Sequence, residues 1–274
     1  MKLFTPLALS ATLLAVPLPA LAATLSYGPF TGSHYHEGGN IGPDYAATTA
    51  LDRTSAFGPS GSGSFSDSVS KTYTGDMGAG RIGTADVTGA TNGTLGTYGF
   101  SANSVVTTSS TCVVDPTPVE ADCLPFIGMQ SYILFEFVAS ADAQMSYSID
   151  WAGGAGDPGI SLADYFSFQF QAFNGFAFSS YGLPSYSTNE LGDQQTAGTL
   201  SGVLDLVGGN AYRFEIGVRA QSQSNGEVGV PALDSGFFTV EASIAAVPLP
   251  AGLPLLLGGL SGLVLAGRRR KSLH

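Results

Sequence analysis

Ser33-His34-Tyr35-His36-Glu37 is the stretch whose residue types and spacing could do metal chemistry. On an extended strand, residues two apart share a face, so His34 and His36 would present two imidazoles side by side, a pair able to chelate zinc or copper. A third ligand must come from elsewhere, and the Gly38-Gly39 that follows suggests a loop. A solvated surface pair is therefore the expectation, and no bound metal. Calcium has two candidate loops, GGAGDPG over 153–159 and NELGD over 189–193, but neither carries the spaced acidic pattern of a dedicated calcium loop. Calcium is the one ion the turns could accept; no cofactor is otherwise expected. The chain has no G-x-S-x-G elbow, no H-E-x-x-H and no phosphate-cradling loop. A Ser-His-Asp triad would have to be built on His34 or His36, the only imidazoles before the last residue. A glycosidase pair needs two carboxylates at a set separation, and the sequence singles out no such pair. The expectation is a protein without catalytic residues.

Any such site must be positioned by a body, and the two ends of the chain say where that body goes. Val247-Pro248-Leu249-Pro250-Ala251 opens the tail, the apolar run GLPLLLGGLSGLVLAG follows, and Arg268-Arg269-Arg270-Lys271 closes it. As a helix, residues 251–267 would reach ~25 Å, slightly short of a ~30 Å hydrocarbon core. The prolines cannot sit inside a regular helix and mark its outer edge. The four cations resist translocation, which places the C-terminus on the cytoplasmic side and residues before 247 outside. At the other end, Met1-Lys2 gives a positive start, residues 3–16 an apolar stretch, and Ala20-Leu21-Ala22 a small-x-small pattern. Cleavage of a signal peptide between Ala22 and Ala23 is the expectation. The organisation is then a signal peptide over 1–22, an exported domain over 23–246, and a sorting segment over 247–274.

The tail resembles the PEP-CTERM class of bacterial sorting signals, and Val247-Pro248-Leu249-Pro250-Ala251 matches its VPLPA variant. The resemblance implies recognition by an exosortase, an integral-membrane cysteine transpeptidase that cuts near the Pro motif. It further implies export machinery as a partner and a precursor held transiently in the inner membrane, then passed to the cell surface or the extracellular space. A permanent C-terminal anchor is the alternative. The same five letters occur at Val16-Pro17-Leu18-Pro19-Ala20, but no basic cluster follows them, and they belong with the signal peptide.

Removing both ends leaves Arg53, Lys71, Arg81, Arg213 and Arg219 against all 21 acidic residues, a formal charge of −16 where the whole chain has −11. Such a body repels nucleic acid and anionic membranes. Cys112 and Cys123 are the only cysteines, and in an exported chain an even count favours a disulfide between them.

The body reads as all-β. Met145, Tyr147, Ile149 and Trp151 alternate with polar residues, as do Phe166, Phe168 and Phe170; Tyr212, Phe214, Ile216 and Val218; and Phe238, Val240, Ala242 and Ile244. Period two of this kind marks strands with one buried and one wet face. The more continuous apolar run over 131–138 predicts a central strand. Asn174-Gly175 predicts a two-residue hairpin, and Gly208-Gly209-Asn210 a second turn of the same kind. Residues 54–111, rich in Ser, Gly and Thr, fit exposed strands, long loops or partial disorder. The predicted fold is an antiparallel two-sheet β-sandwich, jelly-roll-like, with inward aromatics from both sheets and one C-terminal hydrophobic helix outside it.

Function follows from these parts as an expectation: a non-enzymatic exported surface or extracellular-matrix protein, delivered by processing of its tail. The alternative is a carbohydrate-binding surface module contacting extracellular polysaccharide, with Tyr27, Tyr35, Tyr45, Tyr181 and Tyr186 in loop-like sequence as its aromatics. A secreted hydrolase ranks below both.

Overall fold

The computed structural model describes residues 23–40, 53–56, 62–78, 80–114, 123–153, 166–179, 185–187 and 197–246. The expected signal peptide, the Pro motif, the helix expected over 251–267 and the basic cluster Arg268-Arg269-Arg270-Lys271 lie outside them. The compact body runs Ala23–Ala245.

Fourteen strands are described, in two antiparallel sheets packed face to face. The eight-stranded sheet holds β1 (Leu25–Tyr27), β2 (Gly32–Asn40), β3 (Arg53–Ala56), β7 (Phe126–Ala139), β9 (Phe166–Phe173), β10 (Phe178–Ser179), β11 (Ser185–Ser187) and β13 (Ala211–Gln223). The six-stranded sheet holds β4 (Gly63–Gly78), β5 (Arg81–Gly96), β6 (Gly99–Val114), β8 (Ala143–Ala152), β12 (Ala197–Leu206) and β14 (Ala232–Ala246). From β6 onward the chain passes repeatedly between the sheets. The neighbour orders β6-β14-β8-β12 and β7-β13-β9-β10 are those of a jelly roll, with β10 and β11 sharing the outer edge of β9. The strands before β6 extend that sandwich on one side: β5 and β4 beside β6, and β1, β2 and β3 on the β7 side.

Period two set this outcome. Alternation buries Phe135, Phe137, Phe168, Phe170, Phe214 and Phe238 between the sheets, and Phe100 of one sheet stacks on Phe135 of the other at 4.1 Å. The apolar run at 131–138 is central as expected, flanked by β13 on one side and by β2 and β1 on the other. The Ser/Gly/Thr-rich segment left open by its composition forms β4, β5 and β6, three strands of 16 residues each. Their outward positions are mainly serine and threonine, and glycine or alanine at several inward positions makes room for the facing sheet: a Cβ on Gly89 would come 2.6 Å from the Tyr35 ring.

Both predicted turns need correction. The β9–β10 hairpin pairs Phe173 with Phe178, so its loop has four residues, not two. Asn174 decides this: its Oδ1 accepts from Phe176 N–H at 3.1 Å and Ala177 N–H at 3.0 Å, adding a side-chain turn to the backbone bond from Asn174 N–H to the Ala177 carbonyl at 3.1 Å, while Gly175 takes φ +94°. Gly208-Gly209-Asn210 joins β12 and β13, which belong to different sheets, so it is an arch between layers. Gly209 supplies positive φ, and Tyr212 Oη accepts from the Val207 N–H to close the corner.

Cys112 and Cys123 are bonded, S–S 2.07 Å, tying the end of β6 to the start of β7. The Cys112 carbonyl also accepts from Gly229 N–H, so the same point anchors the turn before β14. For a ring of this size, chain entropy sets a ceiling of roughly 3 kcal/mol on its contribution. Cys112→Ser/Cys123→Ser is expected to lower unfolding free energy by about 2 kcal/mol. The midpoint shift in urea, matched by dithiothreitol on the native protein, checks this; no shift in either would refute the staple.

Candidate functional site

The outer face of the eight-stranded sheet collects the residues with chemical character. Strand register arranges them in rows across β9, β13, β7 and β2. Gln171, Arg213 and Glu136 form one row, then Gln169, Glu215 and Leu134. Ser167, Gly217, Tyr132 and His34 form the next, and Arg219, Gln130 and His36 the last. These side chains are half-buried, whereas those on the outer face of the other sheet are largely exposed.

His34 and His36 do share a face, as their spacing requires, and they sit on β2, not on a loop. Both rings lie nearly parallel to Tyr132, at 4.6 and 5.2 Å, and His36 Nε2 is 2.8 Å from the Tyr132 hydroxyl. The pair thus forms part of an aromatic platform with Tyr132, an organising residue sequence reading missed. Among the described residues, no group of three or more His, Cys, Asp or Glu could hold a metal ion. Most of the first calcium-candidate loop and all of the second lie outside the described residues.

The far end of the face is also aromatic. Arg213 is held by Glu136 through Nε and Nη2, each at 2.9 Å, and its guanidinium lies over Phe178 at 3.8 Å and Phe30 at 5.6 Å. Phe176, at the hairpin tip, is 96% exposed. Glu215 and Arg219 add one charge of each sign along β13, with the Arg219 guanidinium against the Gln221 amide. Burial raises the Glu215 carboxyl above its ordinary value, with Arg213 opposing. Gly217 is buried mid-face, with Ser167 and Tyr132 closed over it; a Cβ there would come 2.9 Å from Ser167 Oγ and 3.4 Å from Tyr132 Cβ.

The tyrosines expected in loops are placed differently. Tyr27 is buried, its hydroxyl donating to the Gly96 and Gly99 carbonyls, and burial raises it above the usual phenol range. Tyr35 is fully buried, donating to Thr91 Oγ1 at 2.8 Å. Gly28 beside Tyr27 and the Gly38-Gly39 pair after Tyr35 suggested loops, but both tyrosines belong to strands and point into the core. Tyr45, Tyr181 and the Tyr186 side chain lie outside the described residues.

A second polar assembly lies between the sheets, around the carboxylates of Asp67 and Glu37. Ser33 donates to Asp67 Oδ2 at 2.8 Å, and Tyr73 and Lys71 meet Glu37 Oε1, the latter at 3.5 Å. Thr91, Ser104 and Ser131 link the two sheets through hydroxyl contacts of 2.7 to 3.5 Å. Burial raises the Glu37 carboxyl, opposed by Lys71. Both carboxylates are buried and turned to internal donors, an arrangement suited to joining two sheets.

On the six-stranded sheet, hollows on the outer face are bordered by Glu241 with Ser101, Ser146 and Ser243, and by Asp86 with Thr107, Ser109 and Ser235. Strands β6, β8, β12 and β14 contain no lysine or arginine, so this face is hydroxylated and acidic.

No protein-family model matches the chain, and no curated protein matches it in sequence.

Proposed function

We propose that this is a non-enzymatic exported surface or extracellular-matrix protein, delivered by exosortase processing of its VPLPA tail. The observation that carries the reading is the order of Pro motif, apolar segment and basic cluster in the last 28 residues. Three features of the body support it. The compact unit runs Ala23–Ala245, within a residue of the segment left between the two end signals. Its cysteines are bonded, as suits an oxidising compartment. Its charge of −16 favours solubility once the membrane segment is removed.

Intact-mass spectrometry of the protein recovered from its producing cells tests the proposal. The expected species starts at Ala23 and ends near Pro250 or Ala251. A mass that retains Arg268-Arg269-Arg270-Lys271 would refute processing and leave a permanent anchor in its place.

A further inference from the structure

We propose that the outer face of the eight-stranded sheet binds an extended, uncharged polysaccharide chain running along β13, between the Phe178–Arg213 end and the Tyr132–His34–His36 end. The proposal goes beyond the exported-surface reading and does not require processing of the tail.

Three features point to this ligand chemistry. First, both ends of the face are aromatic, and the rows between them are amides, carboxylates and guanidinium groups. Sugars offer the same combination, with apolar C–H faces that lie on rings and hydroxyl rims that bond to Gln, Glu and Arg. Second, the track has the right form. From Arg213 to Arg219 along β13 is about 20 Å at strand rise, room for several sugar rings. Third, the face is electrically balanced within an acidic protein. Its two cations, Arg213 and Arg219, equal in number its two carboxylates, Glu136 and Glu215; Arg213 is already committed to Glu136 and Arg219 lies against the Gln221 amide. A polyanion meets no surplus cation here and is repelled by the body as a whole. An uncharged polymer pays neither penalty.

A second copy of the chain is the competing occupant of an aromatic face. Two bodies of −16 repel one another, and the half-buried amide rows would each need a matched partner on the other copy. A glycan supplies those partners from its own hydroxyls.

The test is affinity electrophoresis of the full-length protein in detergent, through gels containing laminarin, dextran or galactomannan, with alginate as the uronate comparison. Retardation is expected with at least one neutral polymer and not with alginate. Tyr132→Ala, Phe178→Ala and the double change Gln169→Ala/Gln171→Ala should each weaken it about tenfold or more in Kd, equivalent to about 1.4 kcal/mol. Tyr132→Phe keeps the ring and should keep the retardation, which separates loss of the platform from loss of folding. Phe237→Ala, on the outer face of the other sheet, should leave it unchanged. The proposal is overturned by the absence of retardation in all three neutral gels, or by retardation that survives all the face variants. Concentration-dependent dimerisation in light scattering, abolished by the same variants, would overturn it in favour of self-association.

Discussion

Phe214→Ala is expected to destabilise the body by about 3–5 kcal/mol, the range for removing a large aromatic from a packed core. Phe214 has no exposed surface, and its ring centroid lies 4.8 Å from Phe168, 5.3 Å from Phe100, 5.7 Å from Tyr147 and 6.0 Å from Phe170. Those four neighbours come from β9, β6 and β8, so one side chain joins strands of both sheets. The walls of the resulting cavity are strands hydrogen-bonded on either side of β13, which limits how far they can collapse to fill it. For a body of this size the loss corresponds to a fall in Tm of roughly 6–20 °C. Phe214→Leu keeps most of the volume and should cost less than about 1.5 kcal/mol. Phe176→Ala removes the same chemical group from a hairpin tip and should change stability by no more than about 0.5 kcal/mol. Urea unfolding of the three variants checks the ranking; a Phe214→Ala midpoint equal to that of Phe176→Ala would contradict the placement of the core.

The difference between those two phenylalanines shows what sequence could and could not provide. Phe214 belongs to the alternation Tyr212, Phe214, Ile216 and Val218, and period two alone marked it as inward. Phe176 follows Asn174-Gly175, and the expected two-residue turn would have placed it in a strand. The side chain of Asn174 lengthened the loop and put Phe176 in solvent, a choice made by hydrogen bonds that alternation does not encode. The β12–β13 connection failed for a related reason: Gly208-Gly209-Asn210 signals a change of direction, but hairpin and arch use the same turn residues. Which occurs depends on whether the next strand finds its partners in the same sheet.

The candidate face was less legible than the fold. His34 and His36 stood out because two histidines at spacing two are rare. Tyr132 did not, because within a nearly continuous apolar run its outward position has no local mark. The rows Ser167–Gly217–Tyr132–His34 and Arg219–Gln130–His36 combine residues separated by roughly a hundred positions. Only strand order brings them together. Tyr27 and Tyr35 erred in the opposite direction: nearby glycines suggested loops, while pairing with β7 turns both rings inward, Tyr35 into the space left by Gly89.

Lys71→Met is expected to destabilise the protein by about 3 kcal/mol at pH 8, and by much less near pH 4.5. Glu37 is inward-facing and buried, and its Oε2 has no hydrogen-bond partner among the described residues. Burial already raises its carboxyl above the ordinary 4.5, and Lys71 is the group that holds it down. Methionine fills the lysine stem's volume but removes the ammonium, so the carboxylate would remain charged between the sheets with only the Tyr73 hydroxyl to meet it. Breaking one partner of a buried pair costs more than the pair itself contributes. The figure stays at the lower end of that range because the Lys71 side chain is 37% exposed. The pH dependence follows from the direction of the shift. A carboxyl raised in the folded state contributes stability that is present below its unfolded value and lost as pH rises through the folded value. The variant removes the opposing charge, so its folded value climbs further and its penalty opens as pH rises above about 4.5. Adding Glu37→Gln to Lys71→Met should recover most of the loss at pH 8, since a neutral amide of the same shape has no charge to strand. Melts of the single and double variants across pH 4.5 to 8 read the effect directly. A Lys71→Met penalty that is flat with pH, or unrelieved by Glu37→Gln, would show that lysine acts there through packing alone.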